Sequence, residues 1–415
     1  MNIAGERRRP LHITKTQRRH KPDYWLLLLS IILFVIGLVV VYAISPGLSA
    51  QKQVSENYFV TKQIVAIGLG TLAFLVTANM PLQWWRKLER PLIITAVIAS
   101  IAVRLVGEEV NGAYRWIQIG GLSFQAAELI KLTLLVWLAG FLTDRIRQNK
   151  ISDYEATQKP LLIVLLLLAV VVAKLQSDLG STGVMVAIMG SMIFVAGLPL
   201  KKVAVIGLIV IAGAGLLIMS SSYRRDRFAT FLNPTRDCQS TGYQACQALI
   251  AVGSGGIGGM GLAQGVQAYG YLPEAANDSI FAIYAEKFGF LGVSVLLGLF
   301  VAFFARLKSI IERAPDTYSR LLVVGVLAWL STQALINIGA MIGLLPLKGI
   351  TLPFISYGGT SLVFILAAVG IAFQVSRYTS YSVSITDEAY ENKANDNSVG
   401  GRRFRGAYHP GSGGR

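Results

Sequence analysis

Ten stretches of mostly apolar residues are strung along the chain, near 24–45, 61–79, 91–107, 124–143, 160–176, 182–199, 203–221, 279–306, 321–345 and 353–376. They run from 17 to 28 residues. A helix needs about 20 such residues to cross about 30 Å of hydrocarbon. Only helices and closed barrels satisfy their backbone polar groups inside a bilayer. The pattern therefore predicts an all-α polytopic membrane bundle of ten transmembrane helices.

Composition excludes the alternatives. Of 415 residues, 53% are hydrophobic and 14% are charged, against roughly 25% charged in soluble domains. A soluble fold of this size could not bury so much apolar surface, and a disordered chain would not carry it. The three histidines, His12, His20 and His409, all lie in the polar ends of the chain. The membrane region thus has no histidine for catalysis or for metal ligation. A net charge of +16 would suggest nucleic acid in a soluble protein. Here the basic residues sit in short connectors between apolar runs, so they are read as topology signals and no nucleic-acid partner is expected.

The connectors give orientation. With ten spans both termini lie on one side, and 26 of the 38 Lys and Arg residues then fall on that side, as the positive-inside rule requires of the cytoplasmic face. The expected organisation is a basic cytoplasmic tail over 1–23, a membrane domain over 24–376 and a disordered cytoplasmic tail over 377–415. Trp84 and Trp85 beside Arg86 read as an interfacial anchor before the third span. A long outer connector covers 222–277, between spans seven and eight. It contains Cys238 and Cys246, which outside the cytoplasm would form either a disulfide or two free thiols.

Ionisable residues at membrane depth are functional candidates by default, and on this topology they crowd one face. Arg115, Glu128, Lys131, Asp178, Arg224, Arg227, Glu274, Asp278, Glu286, Lys287 and Lys348 map to outer loops or outer helix ends. Several cations with a few carboxylates suit an anionic substrate such as a diphosphate. The plainer reading is ion pairs that knit helices together. Asp278 stands at the start of the eighth span. By spacing alone it reads best as a helix N-cap, and otherwise as a general base toward a hydroxyl. The string Gly256-Ile-Gly258-Gly-Met-Gly261 matches G-x-G-x-x-G, but no strand–helix crossover surrounds it. It is expected to be a mobile or closely packed connector.

Six motifs then carry a resemblance. Gly112-Ala-Tyr-Arg115-Trp116 is similar to G-A-x-R-W. Phe124-Gln-Ala-Ala-Glu128-Leu-Ile-Lys131 is similar to Q-P-x-E-x-x-K, with Ala126 in place of proline. Gln176-Ser-Asp178-Leu-Gly180 is similar to Q-P-D-L-G, with Ser177 in place of proline. Tyr223-Arg224-Arg-Asp-Arg227 followed by Phe231-Leu-Asn-Pro234 resembles an arginine-bearing segment. Tyr271-Leu-Pro-Glu274-Ala-Ala-Asn-Asp278-Ser-Ile-Phe-Ala resembles L-P-E-x-x-T-D-F-I-F-A. Leu345-Pro-Leu-Lys348 through Gly358-Gly-Thr-Ser361 resembles the stretch before a final helix. In this order, over about residues 24–376, the chain resembles the SEDS family (FtsW, RodA and SpoVE). The basic N-tail, the Leu272-Pro-Glu274-Ala run and the polar C-tail are closest to its FtsW branch. The loop cysteines are not part of the family pattern.

The resemblance implies a peptidoglycan glycosyltransferase. It would polymerise lipid II on the outer face of the bacterial cytoplasmic membrane during division, at the septum. Its partners would be a class B penicillin-binding protein and other division proteins. The family's aspartate falls on Asp278, which moves that residue from cap to catalytic base. Arg115, Lys131, Arg224, Arg227 and Lys348 become candidates to hold the diphosphate of undecaprenyl-linked glycan, with Glu128, Asp178 and Glu274 in support. A magnesium or manganese ion is a candidate to share that charge, and no organic cofactor is implied. A lipid II flippase would place its polar groups near mid-membrane, whereas these crowd one face. A non-catalytic division scaffold would not need Asp278.

Overall fold

The computed structural model describes residues 15–110, 113–119, 122–219, 222–233, 238–240, 242–262 and 264–382. Strand β1 (Lys15–Arg19) is followed by α1 (Tyr24–Gln51), α2 (Tyr58–Asn79) and α3 (Leu82–Val106). Strands β2 (Glu108–Val110), β3 (Ala113–Ile119) and β4 (Leu122–Gln125) lead into α4 (Ala126–Arg147). Next come α5 (Lys159–Leu168), which continues as a π-helix over Ala169–Leu175, then α6 (Leu179–Val195) and α7 (Leu200–Met219). Helices α8 (Ser222–Leu232) and α9 (Tyr243–Ser254) precede α10 (Ile280–Arg313), α11 (Thr317–Met341), α12 (Gly359–Val375) and β5 (Tyr378–Ser382).

Each of the ten apolar runs lies on a helix, and among the described residues six helices are long and apolar enough to cross a membrane. Their environments differ. The most apolar windows of α4 and α11 are 83% and 67% buried, against 22% for α2 and α10. Helices α4 and α11, with the shorter α12, therefore form the centre of the bundle, and α1, α2 and α10 turn apolar side chains outward. Such outward faces are stable only against lipid.

The chain is mostly helical rather than all-α. Strands β2, β3 and β4 form an antiparallel sheet with Trp116 opposite Gln125 and Glu108 opposite Trp116. The run Tyr114-Arg-Trp-Ile-Gln-Ile is rich in aromatic and β-branched residues. It was too short to stand out beside 20-residue apolar runs. The connector over 222–277 also holds structure, in α8 and α9. The third helix starts nine residues before its apolar run, so Trp84 and Trp85 lie within it, Trp84 exposed and Trp85 buried. The last helix starts late. Residues 353–358 are not helical, because Gly358 is extended, Tyr357 N–H bonds to Ala276 O and the Ser356 hydroxyl bonds to Asn277 O instead.

The ends of the chain meet. Strand β1 pairs with β5, Arg19 opposite Tyr378 and Lys15 opposite Ser382. Beside this ribbon Asp23 caps α1 through Leu26 N–H and pairs with Arg306 of α10 at 2.8 Å. Residues 1–14 and 383–415, the bulk of both expected tails, lie outside the described residues.

Helix α10 is broken at Gly289, whose φ is +62°. In an unbroken helix the N–H groups of residues 290 and 291 would bond to the carbonyls of 286 and 287. Here the glycine-rich segment takes both halves of those bonds. Met260 and Gly261 donate to the Glu286 and Lys287 carbonyls at 2.9 and 3.0 Å, and Phe290 and Leu291 donate to the Gly256 and Ile257 carbonyls at 2.9 and 3.1 Å. A Cβ at Gly259 would overlap the Lys287 carbonyl, and one at Gly255 the Ala285 carbonyl. The string is thus a closely packed plug in a helix break. The residues just after the string bond to the two buried charges there, leaving Glu286 Oε2 without a hydrogen-bond partner. Lys287 donates to the Leu262 and Gln264 carbonyls, and Glu286 accepts from Gln267 N–H. Helix α1 carries the chain from Asp23 beside the ribbon to Gly47, about 36 Å at 1.5 Å per residue, where a Cβ would meet the Tyr269 ring, so the segment leading to Asp278 lies at the opposite end of the bundle from the β1–β5 ribbon.

Candidate active site at the start of helix α10

The chain before α10 folds into consecutive turns from Glu274, whose φ is +50° and whose carbonyl accepts from the N–H groups of Asn277 and Ser279. The segment 350–357 fixes these turns from the side. Tyr357 N–H donates to Ala276 O at 2.8 Å and Ser356 Oγ to Asn277 O at 2.6 Å. Asn337 of α11 donates through Nδ2 to Asp278 O and Ile350 O, both at 2.7 Å.

Asp278 is thereby held by its main chain, and its carboxyl group caps no helix. Ser279, not Asp278, occupies the N-cap position of α10, so the cap reading does not describe it. The side chain is buried and Oδ1 has no hydrogen-bond partner. Gly349 passes beside the other oxygen, where a Cβ would stand 3.8 Å from Oδ2. Burial pushes the carboxyl up to about 7, with help from the charge of Glu274. Its own backbone N–H, the Arg227 guanidinium and a hydrogen bond from the Gln244 amide act in the opposite direction.

The remaining candidates occupy three levels around this turn. Arg227 and the Lys348–Gly349 turn lie nearest, both cations half-buried and engaged. Glu274 is exposed and accepts from Asn277 Nδ2. Arg115, on β3, donates to the Gln176 and Ser177 carbonyls at 3.0 and 2.6 Å, tying the sheet to the start of α6. There Asp178 caps α6 through Ser181 N–H at 2.8 Å. A Cβ at Gly180 would stand 2.8 Å from Lys348 O, so this corner abuts the Lys348 turn. Deeper in the bundle, Lys131 pairs with Glu128 at 2.8 Å, bonds Gln333 Oε1 at 3.1 Å and lies over the Trp329 ring. Gln333 in turn donates to Thr351. Arg224 lies on α8, and its side chain is outside the described residues.

Sequence reasoning missed Gln244, Gln333 and Asn337. The last two are four residues apart, on one face of an otherwise apolar helix, a signal that polar residues in a span could have given. Cys238 and Cys246 form a disulfide with Cα atoms 5.6 Å apart. Among the described residues no three His, Cys, Asp or Glu side chains converge as a metal-binding set.

The comparisons agree with this architecture. A family model described as "Cell cycle protein" (FtsW, RodA, SpoVE) matches residues 24–381. The chain is 37% identical over 368 residues to Stage V sporulation protein E of Bacillus subtilis, covering 88% of this chain and all of that protein. It is 38% identical over 384 residues to the Probable peptidoglycan glycosyltransferase FtsW of Saccharophagus degradans, covering 91% and 96%. Among solved structures, a chain of a peptidoglycan synthase complex that coordinates polymerization and crosslinking superposes with TM-score 0.68 at 29% identity, over 86% of this chain and 98% of that one. The rod shape determining protein RodA of Thermus thermophilus superposes with TM-score 0.63 at 29% identity, over 86% and 97%. This chain belongs to the FtsW/RodA/SpoVE family of cell cycle proteins.

Proposed function

We propose that the chain is a peptidoglycan glycosyltransferase of the division machinery, with Asp278 as its general base. In this reading ten helices cross the cytoplasmic membrane, both termini are cytoplasmic, and the Asp278 end faces outward at the septum. The donor is the growing glycan on undecaprenyl diphosphate, and the acceptor is lipid II. The oxygen of the acceptor's GlcNAc 4-hydroxyl attacks C1 of the donor sugar. Asp278 takes the hydroxyl proton, and the C1–O bond to the diphosphate breaks with its electron pair leaving on the lipid. A class B penicillin-binding protein is the transpeptidase partner.

The observation that carries this reading is the Asp278 carboxyl, buried with Oδ1 lacking a hydrogen-bond partner, beside Arg227 and the Lys348–Gly349 segment. A base whose proton affinity lies near working pH is best matched to proton transfer. Cations fixed around the leaving group stabilise the charge that develops there. Arg227 and Lys348 are the nearest described candidates, with Arg224 on the same helix as Arg227. Arg115 and Asp178 act by shaping the α6 corner, and Glu128 with Lys131 by bracing α4 against α11. A magnesium or manganese ion, if bound, would share the charge of the diphosphate, and no step runs through it.

The test is elongation of labelled lipid II by the purified protein, alone and with its penicillin-binding partner. Glycan strands should form, and Asp278→Ala should lower the rate by at least about 100-fold. An Asp278→Ala variant that polymerises at the parent's rate would sink the assignment. Movement of lipid II across vesicles without polymerisation would favour the flippase.

A further inference from the structure

Helix α9 brings a neutral side chain, Gln244, to the candidate base. Its Nε2 donates to Ser279 Oγ at 3.2 Å, one residue past Asp278, and its amide stands close enough to the Asp278 carboxyl to favour the ionised form. What holds α9 in place differs at its two ends. Its last turn runs into the glycine plug, where Gly255 lies against the Ala285 carbonyl. Its first turn opens on Gly242 and has no side-chain cap bond, so its leading N–H groups get no help from a capping side chain. Cys246, buried and two residues beyond Gln244, ties this turn to Cys238.

We propose that Gln244 is a positioning residue for Asp278 and that the Cys238–Cys246 disulfide clamps the first turn of α9 so that it stays in place. The proposal rests on Asp278 being the base argued above. Without the bridge, the uncapped turn can fray and the amide leaves the carboxyl. The other groups around Asp278 stay: Glu274 on the preceding turn, Arg227 on α8, Asn337 on α11 at the main chain, and the Lys348–Gly349 turn. A hydrogen bond to the ionised form favours ionisation, so loss of Gln244 makes the carboxyl hold its proton to higher pH. The loop lies on the face proposed to be outside, where disulfides persist.

The experiment is an infrared titration of the Asp278 carboxyl in the purified full-length protein, with the band assigned by Asp278→Asn. It is run on the parent with and without a dithiol reductant, on Gln244→Leu, and on the Cys238→Ser/Cys246→Ser pair with and without Gln244→Leu. The midpoint should move to higher pH in Gln244→Leu and in the reduced parent. In the cysteine-free background Gln244→Leu should add little further. At neutral pH the polymerisation rate should fall roughly threefold to tenfold with KM for lipid II unchanged. A midpoint unmoved by Gln244→Leu overturns the positioning role. A midpoint moved by Gln244→Leu but not by reductant overturns the clamp. Should the leucine variant misfold, the reduced parent decides without any substitution. A parent that titrates normally yet never polymerises lipid II counts against the glycosyltransferase reading, while its midpoint still decides the role of Gln244.

Discussion

Asn337 Nδ2 donates at 2.7 Å to the main-chain carbonyl of Asp278, from a helix 59 residues further along the chain. The same amide bonds Ile350 O, two residues past Lys348, so one buried side chain sets the distance between the candidate base and a candidate diphosphate cation. Asn337→Leu keeps the bulk and strips both donors, leaving two carbonyls unpaired. The expected loss is about 1–3 kcal/mol of stability, read from denaturant or thermal unfolding in detergent. Polymerisation should fall further than substrate affinity.

As the proposed base, Asp278 should make activity rise with pH. Its carboxyl holds a proton up to about 7, and only the ionised form can accept another. The rate of glycan elongation should climb through neutral pH and level off above it. A profile flat between about pH 5 and pH 8 would remove Asp278 from the proton transfer.

The same group affects stability with the opposite slope. The folded pKa is raised above the unfolded value of 3.8, so the folded state binds the proton more tightly. Stability is therefore highest below the unfolded value and is lost as pH rises toward the folded one. Asp278→Asn removes the ionisable group at nearly constant shape. The variant should melt above the parent at about pH 8, and the gap should close at about pH 4.

The glycine plug separates two neighbouring positions. Gly259 has a φ of +82° and would drive a Cβ into the Lys287 carbonyl, whereas Gly258 faces open space. Gly259→Ala should cost upward of about 1–3 kcal/mol from backbone strain alone. Gly258→Ala should stay within about 0.5 kcal/mol of the parent. Equal melting temperatures for the two would show that the break in α10 does not depend on this packing.

Lys131 and Glu128 should behave as a unit. Removing one partner of a buried ion pair costs about 3–5 kcal/mol, while replacing both is often tolerated. Lys131→Met and Glu128→Gln should each destabilise strongly, and the double variant should recover much of the loss in a double-mutant cycle.

The helices were legible because lipid makes hydropathy a strong signal, and every apolar run lies on one. Asp278 was legible only through its motif, since spacing alone favoured an N-cap, a position that Ser279 occupies without a side-chain cap bond. The strands around Arg115 were hidden because three short strands leave little pattern in a connector. Glu286 and Lys287 read as part of the outer-face charge. Their partners, the Leu262, Gln264 and Gln267 backbone groups, come from a loop that only the folded chain brings alongside. Gln244 was missed for a similar reason: no sequence periodicity links α9 to the turn before α10.

The pairing of Lys15–Arg19 with Tyr378–Ser382 makes the membrane domain a closed circuit of backbone. Two hydrogen-bonded strands cannot lie on opposite faces of a bilayer, so the path from residue 19 to residue 378 must return to the face it left. A short linker from residue 382 to residue 15 would then make a circular permutant feasible, with new ends opened in an exposed connector such as the one around Asn149. Such a molecule would keep every helix contact described above while moving its free ends to the Asn149 connector.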